Sequence, residues 1–365
     1  MIKQFNFFLS VLLKQRQRYH QASINNGFTL IELLVAMVLA FLVITPLLGF
    51  MIDILNTDRK EQAKINSEQE VQSALDYIAQ DLQQSIYIYD AKGIKAIKDQ
   101  LPQNTATDRV PVLVFWKREF DKNVIDVTVG GASQGKNDTF VYSLVAYYLV
   151  KDTIINDADN IWSDQFRIAR FEVKDGVKNP DVAANASNNY FTGKTPDPGF
   201  LLFDLAGSKG TLEQKMNNWK KKSGEDYTNP MLTLVDYIDK NPLSADTSFA
   251  KTDCTSSTVF PDRALIGNES TEERIIKEAK IAALQIPTFA ATNSNQYSTT
   301  TDAELQNSSS FYACVDSERN IAKVFIRGNA LARIDKNNNI YSSTKSSFFP
   351  KASIQVEGKG RIGFQ

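Results

Sequence analysis

Histidine is almost missing from this chain: among 365 residues the one copy is His20. Beyond residue 27 there is none, which removes Ser-His-Asp and Cys-His catalysis and histidine-ligated metal from that part. Cysteine is nearly as scarce, and the two present, Cys254 and Cys314, are too few for a thiolate metal cluster. No G-x-x-x-x-G-K-[ST] phosphate loop occurs. Paired carboxylates arise in any chain with 42 acids, so they point to nothing alone. The expectation is a protein that is not an enzyme, with no catalytic residues and no cofactor. Excess positive charge is missing too, since 41 Lys and Arg stand against 42 acids. Without a basic field or a basic stripe interleaved with aromatics, nucleic acid is not an expected partner. The densest positive cluster, Trp219-Lys220-Lys221-Lys222, reads as a solvated helix end.

Against these absences stands an apolar run from Phe28 to Ile52 whose only charged residue is Glu32. Roughly 20 apolar residues at 1.5 Å rise cross about 30 Å of hydrocarbon, so a membrane-spanning helix is predicted over 28–52. A carboxylate inside it costs about 2.5–3.5 kcal/mol on insertion scales, which calls for a partner. Cleavage between Gly27 and Phe28 would supply one. It creates an ammonium group four residues before Glu32, and a neighbouring copy can present its own to the same carboxylate. Burial of each charge then becomes conditional on assembly.

The residues Gly27-Phe28-Thr29-Leu30-Ile31-Glu32-Leu33-Leu34-Val35-Ala36, preceded by a basic leader, resemble the class III signal of type IV pilins and pseudopilins. The resemblance implies that a prepilin peptidase cuts after Gly27 and methylates the amine of Phe28. It implies that Glu32 registers each subunit against the amine of the next, with other pilins or pseudopilins, the inner-membrane assembly platform and the lipid bilayer as partners. The alternative is an uncleaved signal anchor with an incidental glutamate. Residues 1–27 carry Lys3, Lys14, Arg16 and Arg18 and no acid, which holds that end in the cytoplasm and sends the rest outward. Phe5 to Leu13 is a separate apolar stretch, too short to span, and reads as lying on the membrane surface. A secretory signal would place its cut after the apolar core; here the cut precedes it, so the core stays with the mature protein.

The fold class expected is α+β: a long N-terminal helix, membrane-spanning in its first half, packed on an antiparallel β-sheet head as in pilins. Its divisions are a leader at 1–27, an assembly helix at 28–52, an amphipathic stem at 53–88 and a head at 89–365 with variable loops at 239–310. Pro46 and Gly49 are expected to interrupt and kink the helix. Asn56 to Glu70 is polar with little to pack on; then Val71, Leu75, Ile78 and Leu82 draw an apolar stripe where stem meets head. Strands are predicted at 110–116, 124–129, 140–150, 166–173, 232–238, 322–327 and 354–356. A glycine-rich turn is expected at 130–138. Short turns and the lack of alternating helices argue for an antiparallel sheet. Helices are predicted at 212–222 and 271–284.

Several smaller features complete the reading. Type IV pilins often carry a C-terminal disulfide loop, and the resemblance supports a bridge between Cys254 and Cys314 in the exported part, two buried free thiols being the alternative. Closing that loop would contribute roughly 4 kcal/mol on the chain-entropy argument. Asp335, Asn337 and Asn339 place oxygens at positions 1, 3 and 5 of a calcium loop. Ile340 stands where an EF-hand needs Gly and Ser346 where it needs Glu, so a polar turn is the better reading and no metal is expected. The sequons at Asn137, Asn185, Asn268 and Asn307 mark surface loops.

Tyr147-Tyr148-Leu149 and the later Phe166-to-Val173 segment, with arginines between apolar residues, resemble a strand pair of the larger J-type and W-type minor subunits. Alternation alone also fits a generic hairpin. The wording from Ser23 to Lys64 and the large head resemble a cyanobacterial minor pseudopilin of hormogonium polysaccharide secretion, which would serve gliding motility. A type II secretion tip subunit or a minor pilin of a twitching pilus are the alternatives within the family. Outside it stands a membrane-tethered carbohydrate-binding module that never assembles. The 13 Tyr and 22 Phe are more often core than sugar platform.

Overall fold

A computed structural model describes residues 28–129, 132–151, 161–179, 182, 189–206, 209–241, 251–265, 270–287, 304–305, 308–337 and 339–360. The leader with Gly27, the sequons at Asn185, Asn268 and Asn307, and much of 239–310 lie outside these residues. The chain divides into two units, 1–58 and 59–365, and helix α1 (Leu30–Gln83) contributes to both.

In the first unit every described residue is exposed, including Leu33, Val38, Phe41, Leu47 and Phe50. Apolar side chains turned outward on all sides of a helix fit a bilayer rather than a core, and this segment is long and apolar enough to cross a membrane. Pro46 and Gly49 do not interrupt it, contrary to expectation, because α1 is continuous through both. Proline removes one N–H from the ladder, and at this turn the Thr45 hydroxyl donates to Phe41 O at 2.8 Å. Helical backbone bonds in an apolar segment have no water to replace them, so one missing bond is less costly than an open turn.

In the second unit the stem does not continue to residue 88. It ends at Gln83, and Ser85–Ile88 forms strand β1, since Ile86, Tyr87 and Ile88 are branched or aromatic and pair with the next strand. Helix α2 (Ala91–Ile97) follows, N-capped by Asp90, whose side chain accepts from Gly93 N. Then come β2 (Arg109–Val129), β3 (Ala132–Lys151), β4 (Phe166–Lys174), helix α3 (Leu212–Asn217) and β5 (Leu232–Ile238). These strands form one antiparallel sheet in the order β1-β2-β3-β4-β5. A second antiparallel sheet, beyond the single one expected, comprises β6 (Gln285–Ile286), β7 (Phe311–Asp316), β8 (Ile321–Arg327) and β9 (Lys351–Glu357). Helix α4 (Thr271–Leu284) leads into it, capped by a Ser270–Glu273 capping box.

One core joins the stem stripe Val71, Leu75, Ile78 and Leu82 to Phe115 and Val145 of the first sheet and to Phe311 and Val324 of the second. Trp116 lies in an aromatic cage of Phe200, Phe203 and Trp219, so Trp219 is not part of a solvated helix end; α3 has already stopped at Asn217. The segment 239–310 is likewise not all surface loop, because Cys254, Val259, Phe260, Leu305 and Ser308 are buried. Beyond Lys117 and Ser143 neither β1 nor β4 accompanies β2 and β3. They continue as a two-stranded ribbon, and the sequon residue Asn137 sits exposed on that strand rather than in a loop. Residues 358–363 spell Gly-x-Gly-x-x-Gly, the pattern of a dinucleotide loop. Its first two glycines serve packing: a Cβ on Gly358 would come within 2.1 Å of Ser85 Oγ, and Gly360 N donates to Ser85 O at 3.0 Å.

Candidate assembly site

The N-terminus of α1 is built by two side chains. Thr29 stands at the N-cap and Glu32 three residues later. The Glu32 N–H donates to Thr29 Oγ1 at 3.2 Å, while Glu32 Oε2 accepts from Thr29 N at 3.2 Å and Thr29 Oγ1 at 3.0 Å. This is a reciprocal capping box, satisfying helix-end donors that have no partner within the helix. A negative group here also meets the positive end of the helix dipole. Sequence reasoning takes Glu32 for its charge and passes over Thr-x-x-Glu, a signal that was legible. Phe28, the residue whose amine would be exposed by cleavage, is itself exposed.

At the other end of α1 a second acid is enclosed. Asp81 Oδ2 accepts from Tyr147 OH at 2.6 Å and from Arg170 Nε at 2.7 Å, and Oδ1 accepts from Lys117 Nζ at 3.1 Å. Arg170 Nη1 also donates to Glu172 Oε2 at 2.9 Å, and Lys117 Nζ lies 2.9 Å from Glu172 Oε1. Lys174 closes the outer side on Glu119 at 2.8 Å. The period of two along each strand brings Lys117, Tyr147, Arg170 and Glu172 to one face, and Tyr147 is the cross-strand partner of Arg170. Asp81, Glu119 and Glu172 balance Lys117, Arg170 and Lys174, so the cluster is neutral. Burial alone would raise the Glu172 carboxyl, but Lys117 and Arg170 hold it down to about 2. Burial pushes the Tyr147 phenol up, and the Asp81 charge adds to the effect. Nothing in the sequence singles out Asp81 or Lys117, and Lys117 lies just past the strand predicted at 110–116, which in the structure runs on to Val129.

Two further joints hold the head. Asp239, fully buried at the end of β5, accepts from Arg327 Nε of β8 at 2.8 Å and from Asn329 Nδ2 at 3.3 Å, which ties the two sheets together. Burial raises the Asp239 carboxyl, against the pull of Arg327. Cys254 and Cys314 form a disulfide with Cα atoms 5.5 Å apart, in a small core with Val259, Phe260 and Leu284. Beside it Asp316 accepts from Arg263 at 2.8 and 2.9 Å and from Arg319 at 2.6 Å; burial opposes ionisation, but the two guanidinium groups hold this carboxyl below its usual range.

The residues Asp335, Asn337 and Asn339 form a polar turn. Asp335 Oδ1 accepts from Asn337 N at 2.9 Å, and Asn339 Nδ2 donates to Lys336 O at 3.0 Å while the side chain itself is buried. Among the described residues no three His, Cys, Asp or Glu side chains are grouped for a metal ion.

Residues 23–48 match the family described as the prokaryotic N-terminal methylation motif. The match spans Gly27, Phe28 and Glu32 and the apolar half of α1, and it supports a type IV pilin-like subunit that is processed by a prepilin peptidase and anchored in a membrane. No curated protein and no solved structure matches the chain.

Proposed function

We propose that the chain is a minor pseudopilin with no catalytic role. It is cut after Gly27, methylated on Phe28, held in the inner membrane by 28–52 with its head outside, and drawn by the assembly platform into a filament or tip complex through Glu32. The observation that carries this reading is the methylation motif at 23–48, overlapping an exposed apolar segment, 28–52, whose only charge is an acid in the first turn of α1. The resemblance of residues 23–64 to hormogonium pseudopilins supports the narrower role, export of polysaccharide for gliding.

Mass spectrometry of the mature N-terminal peptide tests the reading. The expected terminus is methylated Phe28. Gly27→Leu, which puts a side chain where the peptidase takes none, should leave the 27-residue leader attached. A mature terminus elsewhere would end the pseudopilin reading. Loss of surface polysaccharide with normal protein secretion in a deletion strain distinguishes the narrower role from type II secretion. Loss of twitching alone would indicate a pilus subunit.

A further inference from the structure

The ribbon that β2 and β3 form beyond Lys117 and Ser143 has open edges on both sides, since β1 and β4 have stopped and among the described residues no other strand follows it. Open edges are templates for another strand, and proteins usually blunt them. The β2 side is blunted. Lys122, Asn123 and Val124 together oppose the single Asp138 there, and Asn123 takes a positive φ of 56°, so a straight strand cannot follow that edge. The β3 side is not, because the extra residues belong to β2 and β3 runs straight from Lys136 to Tyr142. Asp175 N donates to Tyr142 O at 2.8 Å, which shows the side to which alternate residues of β3 turn their main-chain groups. Past the end of β4, those of Lys136, Asp138 and Phe140 turn to the same side and meet no strand among the described residues.

Lys136 and Asp138 share a face of β3 and are both exposed. Lys136 Nζ lies 3.2 Å from Asp126, and Asp138 Oδ1 accepts from Asn123 N at 2.8 Å, which leaves further ammonium protons and the second carboxylate oxygen for other groups. An edge of one charge sign would repel a copy of itself; this edge carries opposite charges two residues apart. We propose that the β3 edge at 136–138 pairs antiparallel with the same edge of a second copy of this chain, about a two-fold axis at Asn137. Lys136 of each copy then stands opposite Asp138 of the other, and symmetry repeats the contact. Both residues turn their main-chain groups to the seam, so the pair is in register for backbone hydrogen bonds as well as for the ion pair. Gly135 falls opposite Thr139 and presents no side chain to obstruct it. Phe140, 47 % exposed, flanks the seam on the same face. A seam this short is weak alone, and it suits copies held by α1 in one membrane, where their local concentration is high. This pairing lies in the head and adds a contact to those the N-terminal helix would make.

Disulfide trapping of the full chain in its native membranes tests the pairing. Residues on the axis face each other as a non-hydrogen-bonded pair with Cα atoms about 4.5 Å apart, within disulfide range, and both native cysteines are already bridged. Asn137→Cys under mild oxidation should therefore give a homodimer on a non-reducing gel, with a linked 137–137 peptide by mass spectrometry. Thr139→Cys is the collision control. It lies on the same face, but its two copies are four residues apart along the seam, about 13 Å, and should link about ten-fold less. In the Asn137→Cys chain, Asp138→Lys sets lysine against lysine and should lower the dimer yield about ten-fold. Co-expression with a chain carrying Asn137→Cys and Lys136→Asp should restore a mixed dimer, because each lysine then meets an aspartate again. Yields are taken per membrane-resident subunit, so a loss of folded chain does not read as a loss of pairing. Equal linking at 137 and 139, an unchanged yield with Asp138→Lys, or failure of the mixed dimer to form would overturn the proposal. Capture of a different protein by the Asn137→Cys chain in place of its own copy would overturn it as well.

Discussion

Glu32 and Asp81 are acids on the same helix, and they differ in who completes them. Asp81 is 7 % exposed and receives hydrogen bonds from three head residues, Tyr147, Arg170 and Lys117. Glu32 is exposed in the apolar half of the helix, and among the described residues Thr29, three positions away, is its one hydrogen-bond partner. Folding alone satisfies the first carboxylate and leaves one oxygen of the second open. A helix can thus be anchored to its own head at one end and remain chemically unfinished at the other. That is the arrangement a subunit needs if it must be stable alone and still gain from joining a neighbour.

The sharpest way to break this comparison is to exchange the damage. Asp81→Ala leaves Lys117 and Arg170 buried with a missing counter-charge, a loss of about 3–5 kcal/mol for a broken buried pair. It should appear in denaturant unfolding of the full chain in detergent. Glu32→Leu should leave that unfolding unchanged, since removing a charge from an apolar helix does not disturb the head. Its effect is expected on assembly instead. An Asp81→Ala head as stable as wild type would mean the cluster is idle, and the contrast between the two acids would collapse.

The disulfide corner gives the next largest effect. Cys254 and Cys314 are 60 residues apart, and Cys314→Ser should lower head stability by about 2–4 kcal/mol. The bridge sits in its own small core with Val259 and Phe260, separate from the residues around Asp81. The double variant with Asp81→Ala should therefore lose the sum of the two, as independent sites do. A shortfall well beyond about 0.5 kcal/mol would show that the two joints share one cooperative contact network.

Acid should loosen the stem from the head. Glu172 is depressed in the folded protein to about 2 from an ordinary value near 4.5. A depressed carboxyl contributes stability that is fully present above its unfolded value and is lost as the pH falls through its folded one. The window is therefore about pH 5 down to pH 2, and the contribution is on the order of 2–3 kcal/mol. Glu172→Gln should flatten the stability curve across that window. A curve with the same slope in wild type and variant would assign the acid sensitivity to other groups.

The elements that were legible in sequence are those whose pattern is local. The stripe Val71, Leu75, Ile78 and Leu82 places the stem on its core, and α4 and β5 begin and end where caps and β-branched runs put them. Harder to see were β7, whose Phe311–Asp316 follows a polar stretch and is buried on both faces, and the joints Asp81 and Asp239. A buried acid has no sequence pattern of its own, because its partners come from strands 36 to 89 residues away. At the candidate assembly site the reverse holds. Gly27, Phe28 and Glu32 are recognised from a contiguous motif, while the role of Thr29 needs the helix start to be fixed before its hydroxyl has a meaning.

A third acid on α1 sharpens the comparison further, with the smallest expected effect. Glu70 lies between the other two in sequence and pairs with Arg333, but its side chain is 43 % exposed. Water and salt screen such a pair, so Glu70→Ala should cost only about 0.2–1 kcal/mol. Arg333 does more than pair. Its Nε donates to Ser67 Oγ at 3.1 Å, and its guanidinium lies 4.0 Å from the centre of the Tyr237 ring. Arg333→Ala should therefore cost more than Glu70→Ala, by the stacking and the lost packing of the arginine stem. Chemical denaturation of the two variants side by side decides the matter. Equal losses would place the whole value of the contact in the ion pair. A larger loss for Glu70→Ala than for Asp81→Ala would reverse the ordering by burial on which the reading of this helix depends.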